Sequence, residues 1–530
     1  MAMKVLICEP IAEEGIARLC AEPELEVDVW EGLQPDELRG VASAYHGVIV
    51  RSKTEVTAEL LAAAPGLKIV GRAGTGVDNI DLGACTERGV VVVNTPGGNS
   101  VSVAELVIGL VIACSRKITR ADQLLKQGEW AKKQLKGHEL NGKTLGIVGL
   151  GRIGRELAMR ALPFGLKVLG HDPFVAKGAL DDQGVELVDL PELLRRSHIV
   201  SLHVPRTDKT AGLIDADALA SMREGAILIN AARGGIVDER ALLAALDSGH
   251  VAAAALDAFE SEPEPMREIV THERVIATPH IGASTFEAQE QVGYHVAGYV
   301  ADYLVRGVLQ SAVNYIAVSS EEMRAIGPYL LLAERIGAFV AQVAVGRMRK
   351  ATITYSGTVA SERFELLTDR ALCGGLRPFL DETDVNPICA RALADARGLE
   401  VIEATSRDAR GFPALMRVEL EAEGGTVTAE GTAFGEGQPP RLIRIDGLPI
   451  NAPLDGPTVF FRNDDVPGVI GRVGTYVGEQ GLNIANFALR GDKQGGAIGV
   501  VSVDRRLQRD QRNALKTLPG IRFVRMVDLP

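Results

Sequence analysis

Three residues of different chemistry stand just past three β-rich runs. They are Arg233 in Asn230-Ala-Ala-Arg-Gly-Gly235, Glu262 in Asp257-Ala-Phe-Glu-Ser-Glu-Pro263, and His280 in Thr278-Pro-His-Ile-Gly-Ala283. Together they are the set needed to take a proton and a hydride from one carbinol. An imidazole titrates near neutrality and can accept a hydroxyl proton. A carboxylate beside it fixes the ring and stabilises the imidazolium that forms, and a guanidinium forks onto a substrate carboxylate and polarises the new carbonyl. Glu260 and Glu264 compete with Glu262 for the acidic role, and any one of the nine histidines is more often structural than catalytic. Position must decide.

The order of the elements supplies that position. Residues 3–97 alternate the β-rich runs Lys4–Cys8, Val48–Val50, Lys68–Val70 and Val90–Asn94 with helical stretches. A second set begins at Thr144 and continues through Ile199–His203, Ala226–Asn230, Val251–Leu256 and Val275–Thr278. Strands alternating with helices predict two α/β domains with doubly wound parallel sheets, and ligands of such sheets gather outside the carboxyl ends of the strands. Arg233, Glu262 and His280 then share an edge with the turn Gly149-Leu-Gly-Arg-Ile-Gly154, which follows an apolar run and opens a helix. Gly149 permits the tight turn, Gly151 lets backbone approach a pyrophosphate, and Gly154 lets the helix pack on its strand. The helix N-terminus attracts the phosphate charge. Asp172, at the end of the next strand, lies near the spacing at which a carboxylate meets the adenosine ribose hydroxyls, and it would repel a 2′-phosphate. The cofactor expected is NAD rather than NADP.

A helix following Asn99-Ser100 and covering the longest apolar run, Val101–Cys114, is expected to lie buried between domains or subunits; it is too short to span a bilayer. A helical pattern from Thr285 to Arg306 runs back onto the first unit. Beyond Asn314 the glycine signature is gone. Thr352–Tyr355, Leu415–Ala422 and Arg441–Ile445 read as strands of an α+β domain, in which Arg347, Arg349, Lys350, Arg441 and Arg444 form a candidate anion site. After the Pro-rich stretch Leu448–Pro457 comes a compact βαββαβ pattern of regulatory type.

Five runs carry a resemblance: Gly71-Arg-Ala-Gly-Thr-Gly-Val-Asp-Asn-Ile-Asp81, Asn94-Thr-Pro-Gly-Gly-Asn-Ser100, the glycine turn, Asn230–Glu239 and Pro279–Ser284. They closely resemble the phosphoglycerate branch of the D-2-hydroxyacid dehydrogenases, in its long form with an intervening domain and a C-terminal ACT domain, and the likeness covers the entire chain. The resemblance implies a flavodoxin-like substrate domain over 1–97 and 286–316, a Rossmann-type NAD domain over 98–285, an intervening domain over 317–452 and an ACT domain over 453–530. It gives Arg233, Glu262 and His280 the roles argued above, and adds Arg152, Ile153, Asp172, Thr207, Ala231 and Asp257 as cofactor contacts. It assigns the substrate to Arg51, Ser52, Arg72, Thr75 and Asn99. A phosphorylated three-carbon acid needs cations and backbone donors, and these segments offer both; without the resemblance, Arg51 and Arg72 read equally well as surface charge. The family also places a basic residue of a neighbouring subunit at the substrate, near Trp130, where this chain has Lys132 or Lys133. In the last domain Asp465 and Asn483 match positions that would hold serine between paired domains; a structural pairing module is the alternative.

The implied reaction is NAD-dependent oxidation of D-3-phosphoglycerate to 3-phosphooxypyruvate, the entry step to serine, under serine control in a homo-oligomer, a tetramer. Net charge is −12 with no Lys/Arg-rich block, which argues against nucleic acid and anionic membranes as partners. Six scattered cysteines without a Cys-x-x-Cys pair fit reduced, buried thiols in a cytoplasmic enzyme. No metal site is expected. The rivals are another D-2-hydroxyacid dehydrogenase, acting on hydroxypyruvate, glyoxylate or 2-oxoglutarate, and a non-catalytic NAD-sensing protein.

Overall fold

The computed structural model describes residues 2–316, 320–360, 363–380, 385–435 and 437–530. The expected start of the intervening domain, residue 317, lies outside them. Four sheets organise the described residues.

The first sheet holds β1 (Met3–Ile7), β2 (Leu25–Val29), β3 (Gly47–Val50), β4 (Ile69–Arg72) and β5 (Val91–Asn94), all parallel, in the order β2-β1-β3-β4-β5. Its strands other than β2 are largely apolar because both faces are covered. Helix Phe286–Arg306 lays Val292, Val296, Val300 and Leu304 against one face, and Leu38, Leu60 and Leu61 cover the other. The helix pattern read at Thr285–Arg306 therefore does close back on the first sheet. β2 escaped the sequence reading because it is an edge strand carrying Glu26 and Asp28 within Leu25–Val29.

The second sheet comprises β6 (Thr144–Val148), β7 (Lys167–His171), β8 (Val185–Leu187), β9 (Ile199–Leu202), β10 (Ala226–Asn230), β11 (Val251–Leu256) and β12 (Val275–Ala277). All are parallel, in the order β12-β11-β10-β9-β6-β7-β8. Helices Ser100–Arg116 and Arg152–Ala161 cover one face through Val103, Val107, Val111 and Leu157. Leu193, Leu219 and Leu242 of three further helices cover the other.

The third sheet is mixed. It contains β13 (Met348–Gly357), β14 (Glu400–Ser406), β15 (Ala414–Ala422), β16 (Gly425–Thr432), β17 (Arg441–Ile445) and β18 (Leu448–Pro453), ordered β14-β13-β15-β16-β17-β18 with only β13 and β14 parallel. Part of the Pro-rich stretch is thus a strand; Pro449 and Pro453 are tolerated because β18 is at the edge. Helix Ser320–Val343 packs Leu332, Ile336, Phe339 and Val340 into this core. Its segment Glu322–Val343 is long and apolar enough by length and composition to cross a membrane, and most of it is buried inside the protein. The candidate anion set does not form one site. Arg349 faces Glu423, Lys350 faces Glu421, and Arg444 faces Glu430, while Arg441, three strands from β13, bonds Asn451.

The fourth sheet, β19 (Pro457–Asp464), β20 (Ile484–Gly491), β21 (Gly496–Val503) and β22 (Ile521–Asp528), is antiparallel in the order β20-β21-β19-β22. With helices Val469–Glu479 and Arg509–Lys516 it makes the βαββαβ unit read from the sequence. Five cysteines are buried, but Cys20 is exposed, a correction to the reading of all six as core residues.

Candidate functional site

The carboxyl ends of β6, β7, β9, β10, β11 and β12 carry, in turn, the glycine turn, Asp172, Thr207, Ala231 with Arg233, Asp257 with Glu262, and His280. Gly149 has φ +96°, open to glycine at little cost, and a Cβ there would lie 2.5 Å from the His203 carbonyl oxygen. A Cβ on Gly154 would meet the Gly149 carbonyl oxygen. At Gly151 a Cβ would meet nothing within 4 Å, so space lies open beside the turn. Helix Arg152–Ala161 starts there, leaving its first N–H groups, those of Arg152, Ile153 and Gly154, without helical acceptors. Open space faced by unpaired donors fits a pyrophosphate. Asp172 accepts from Leu150 N at 2.9 Å and Phe174 N at 2.9 Å, so the carboxylate expected at the ribose also props the glycine turn. Ala231 is buried at the end of β10. Thr207 sits in the exposed loop after β9, its N–H bonded to Thr210 Oγ1 at 2.8 Å.

His280 and Glu262 meet: His280 Nδ1 lies 2.8 Å from Glu262 Oε2, and Glu262 Oε1 accepts from Phe259 N at 2.9 Å. Glu260 N donates to the buried Glu239, so Glu262 is the acid of its loop that holds the imidazole. The Glu262 hydrogen bond and charge raise the His280 pKa, against burial, which lowers it. Burial works upward on Glu262, but the His280 bond, the Phe259 N–H and the nearby charges outweigh it and the pKa is lowered. His203, by contrast, is pushed down to about 4 by burial and stays neutral behind the glycine turn.

The backbone at His280 is left-handed, φ +52°, which costs a non-glycine residue roughly 1–2 kcal/mol. Asp257 holds that conformation. Its buried carboxylate accepts from Thr278 Oγ1 at 2.6 Å, Ile281 N at 2.8 Å and Gly282 N at 2.8 Å, clamping both sides of His280. The sequence reading placed Asp257 at the cofactor and missed this duty.

Arg233 is shaped by an Asn230 turn, in which the Asn230 side chain bonds Arg233 O and Ala232 N. Its Nε donates to Asp78 Oδ2 at 2.9 Å and its Nη1 to Ala232 O at 2.8 Å. Arg72 follows from β4, and its pKa falls to about 10, first by burial and then by the charges of Arg233 and Arg51. Its Nε is buried with no hydrogen-bond partner. Arg51 and Arg233 thus stand close enough to Arg72 for their charges to act on it, and three guanidinium groups gathered this way define an anion pocket. Thr75 Oγ1 donates to Asn99 Oδ1 at 3.0 Å, so two more predicted residues adjoin. Arg51 and the exposed Ser52 lie in a loop held by Glu9, whose carboxylate accepts from the N–H groups of Arg51, Lys53 and Thr54 at 2.8, 3.2 and 2.9 Å. Asn79 Nδ2 bonds the carbonyls of Arg51 and Thr54. Glu9 and Asp78 were missed; Asp78 lay inside a quoted run, but no spacing rule reaches across two sheets.

Not every expected residue joins. Lys132 and Lys133 are exposed beside Trp130, itself 83% exposed, and no hydrogen bond or ion pair among the described residues ties them to the arginines. Asp465 packs over Gly491 and bonds Gly495 O, whereas Asn483 precedes β20 and bonds Asp504. They stand at opposite ends of an eight-residue strand, about 25 Å apart at about 3.3 Å per residue.

Fold and site define the class, an NAD-dependent oxidoreductase of D-2-hydroxyacids, and comparison agrees. Residues 108–282 match the D-isomer specific 2-hydroxyacid dehydrogenase NAD binding domain, and residues 325–446 match the D-3-phosphoglycerate dehydrogenase intervening domain. A D-3-phosphoglycerate dehydrogenase of Archaeoglobus fulgidus is 42% identical over 497 residues, 93% of this chain and 94% of that one. One of Bacillus subtilis is 38% identical over 99% of this chain and 100% of its own. A crystal structure of a glyoxylate reductase from Paecilomyes thermophila aligns with TM-score 0.55 at 30% identity, covering 59% of this chain and 98% of its own. The chain belongs to the D-3-phosphoglycerate dehydrogenase family.

Proposed function

We propose that the chain oxidises D-3-phosphoglycerate to 3-phosphooxypyruvate with NAD, the first step toward serine, and that the bond between His280 and Glu262 beside the arginine pocket carries the reaction. When bound at the glycine turn, NAD would supply the acceptor for the hydride from C2. The chain's own residues do the rest. Arg233 forks onto the substrate carboxylate, and Arg51, Ser52, Arg72, Thr75 and Asn99 take the phosphate end. His280 Nε2 takes the C2 hydroxyl proton, while Glu262 on Nδ1 fixes the tautomer and stabilises the imidazolium. Gly149, Gly151, Arg152, Ile153 and Gly154 hold the pyrophosphate, Asp172 the ribose, and Thr207, Ala231 and Asp257 the remainder of the cofactor. The reading divides the chain into a substrate domain (1–97 with 286–316), an NAD domain (98–285), an intervening domain (317–452) and an ACT domain (453–530).

The same reading makes the protein a cytoplasmic homotetramer with neither membrane nor nucleic acid as partner, in which Lys132 beside the exposed Trp130 serves a neighbouring active site. It assigns serine to Asp465 and Asn483. Their separation within one protomer supports a site completed only by a second copy. The test is a steady-state assay with NAD and either 3-phosphoglycerate or unphosphorylated glycerate, with and without serine. The reading expects turnover that depends on the phosphate and falls with serine. Equal kcat/KM for both acids would sink the substrate assignment, and indifference to serine would sink the regulatory part alone.

A further inference from the structure

A cleft of about 1030 Å³ opens between the third and fourth sheets' units, remote in sequence from the catalytic residues and away from the basic residues of β17. Six arginines line it: Arg347 and Arg397 from the third unit, and Arg506, Arg509, Arg512 and Arg525 from the fourth. Among the described residues Asp528 is the only carboxylate lining it, and it pairs with Arg506. Among the described residues the other five arginines have no carboxylate partner within salt-bridge distance. Among the described residues the Arg347 and Arg397 side chains donate only to the carbonyls of Arg397 and Leu393, and a cleft lined by one sign of charge concentrates counter-ions of the other. The N-terminal turn of helix Arg509–Lys516 also faces the cleft through Gln508 and Arg512. Beneath the arginines lies an apolar floor of Met348, Leu376, Phe379, Leu399 and Met526, with Phe379 56% exposed.

We propose that this cleft binds an organic polyphosphate of nucleoside-triphosphate size, its phosphates on the arginines and its flat apolar part on Phe379 and the methionines. A small anion would leave most of the guanidinium groups unpaired. The volume is at the upper end of small-molecule sites, and guanidinium groups match phosphate oxygens bidentately. The ligand bridges two units already clipped together there, where Gln342 exchanges hydrogen bonds of 2.8 and 3.0 Å with the Asp528 backbone.

Isothermal titration of the full-length enzyme saturated with NADH, which keeps adenine nucleotides out of the dinucleotide site, tests this. The titrants are ATP in EDTA, tripolyphosphate and 3-phosphoglycerate, with wild type and an Arg509→Gln/Arg512→Gln variant. ATP should bind saturably, tripolyphosphate more weakly, and both at least about tenfold more weakly to the variant, with NADH affinity, turnover and melting temperature unchanged. ATP that fails to bind the NADH-saturated wild type, or binds the variant equally well, overturns the site. If the variant weakens 3-phosphoglycerate alone, the occupant is a three-carbon acid and the polyphosphate assignment falls.

Discussion

Asp78, from the loop after β4, accepts a hydrogen bond of 2.9 Å from Arg233, in the loop after β10. The bond ties the loops of the two parallel sheets together and fixes the rotamer of the arginine proposed to hold the substrate carboxylate. Gly76 lies under the same guanidinium, where a Cβ would come 2.0 Å from Arg233 Nη2.

Two substitutions separate orientation from folding. Gly76→Ala should push the flexible end of Arg233 aside, cutting kcat/KM for 3-phosphoglycerate by about 100-fold with little change in melting temperature. Asp78→Ala leaves Arg233 in place but unpinned, and should raise KM about tenfold. A fall in KM on removing Asp78 would show that it competes with substrate for Arg233.

The pH profile follows from the imidazole. Oxidation needs neutral His280, whose pKa is raised by the Glu262 hydrogen bond, so kcat/KM should fall as pH drops through a value above the ordinary 6.5. Glu262→Gln removes the cause, and the acid limb should move to lower pH while kcat drops by about tenfold or more, since each unit of lost imidazolium stabilisation is about 1.4 kcal/mol. An unmoved limb would mean another group governs it.

Glu9 is a positioning residue. Burial works upward on its carboxyl, but the N–H groups of Thr54, Arg51 and Lys53 outweigh burial and its pKa is lowered. A carboxylate held low stabilises the fold above its unfolded pKa and loses that contribution as pH falls through the folded one. Glu9→Ala should therefore narrow the stability difference between pH 7 and pH 3 and raise KM for the phosphorylated substrate, with kcat and NAD binding nearly retained. A loss in kcat at constant KM would contradict the assignment.

At Asp172, two substitutions should differ. Asp172→Ala removes the proposed ribose contact and the prop under Leu150 N, whereas Asp172→Asn keeps one acceptor oxygen. The Ala variant should bind NAD more weakly than the Asn variant, and both should narrow the preference over NADP. Equal NAD affinities in the two variants would show that the prop is dispensable.

Much of this was legible in the residues. Strands buried on both faces announce themselves as apolar runs, and the βα alternation fixes which edge carries the loops, so Arg233, Glu262, His280 and Gly149 could be gathered before any coordinates. Edge strands such as Leu25–Val29 and Val185–Leu187 carry polar residues or are too short, and the pattern passed over them. Contacts between distant loops were out of reach: nothing in spacing pairs Asp78 with Arg233 or Glu9 with Thr54. Asp257 was assigned one role where its geometry reveals another, because a carboxylate's three donors are invisible until the loop closes around it. The five basic residues of the third unit failed as a group because neighbouring carboxylates and an asparagine occupy four of them.

The central claim is that His280 takes the hydroxyl proton beside bound NAD. It is tested most directly by comparing His280→Ala with wild type for NAD affinity by titration and for 3-phosphoglycerate turnover across pH. The account predicts unchanged NAD affinity, turnover lower by about 10²–10⁴ and loss of the acid limb. Near-normal turnover with the acid limb intact would contradict it.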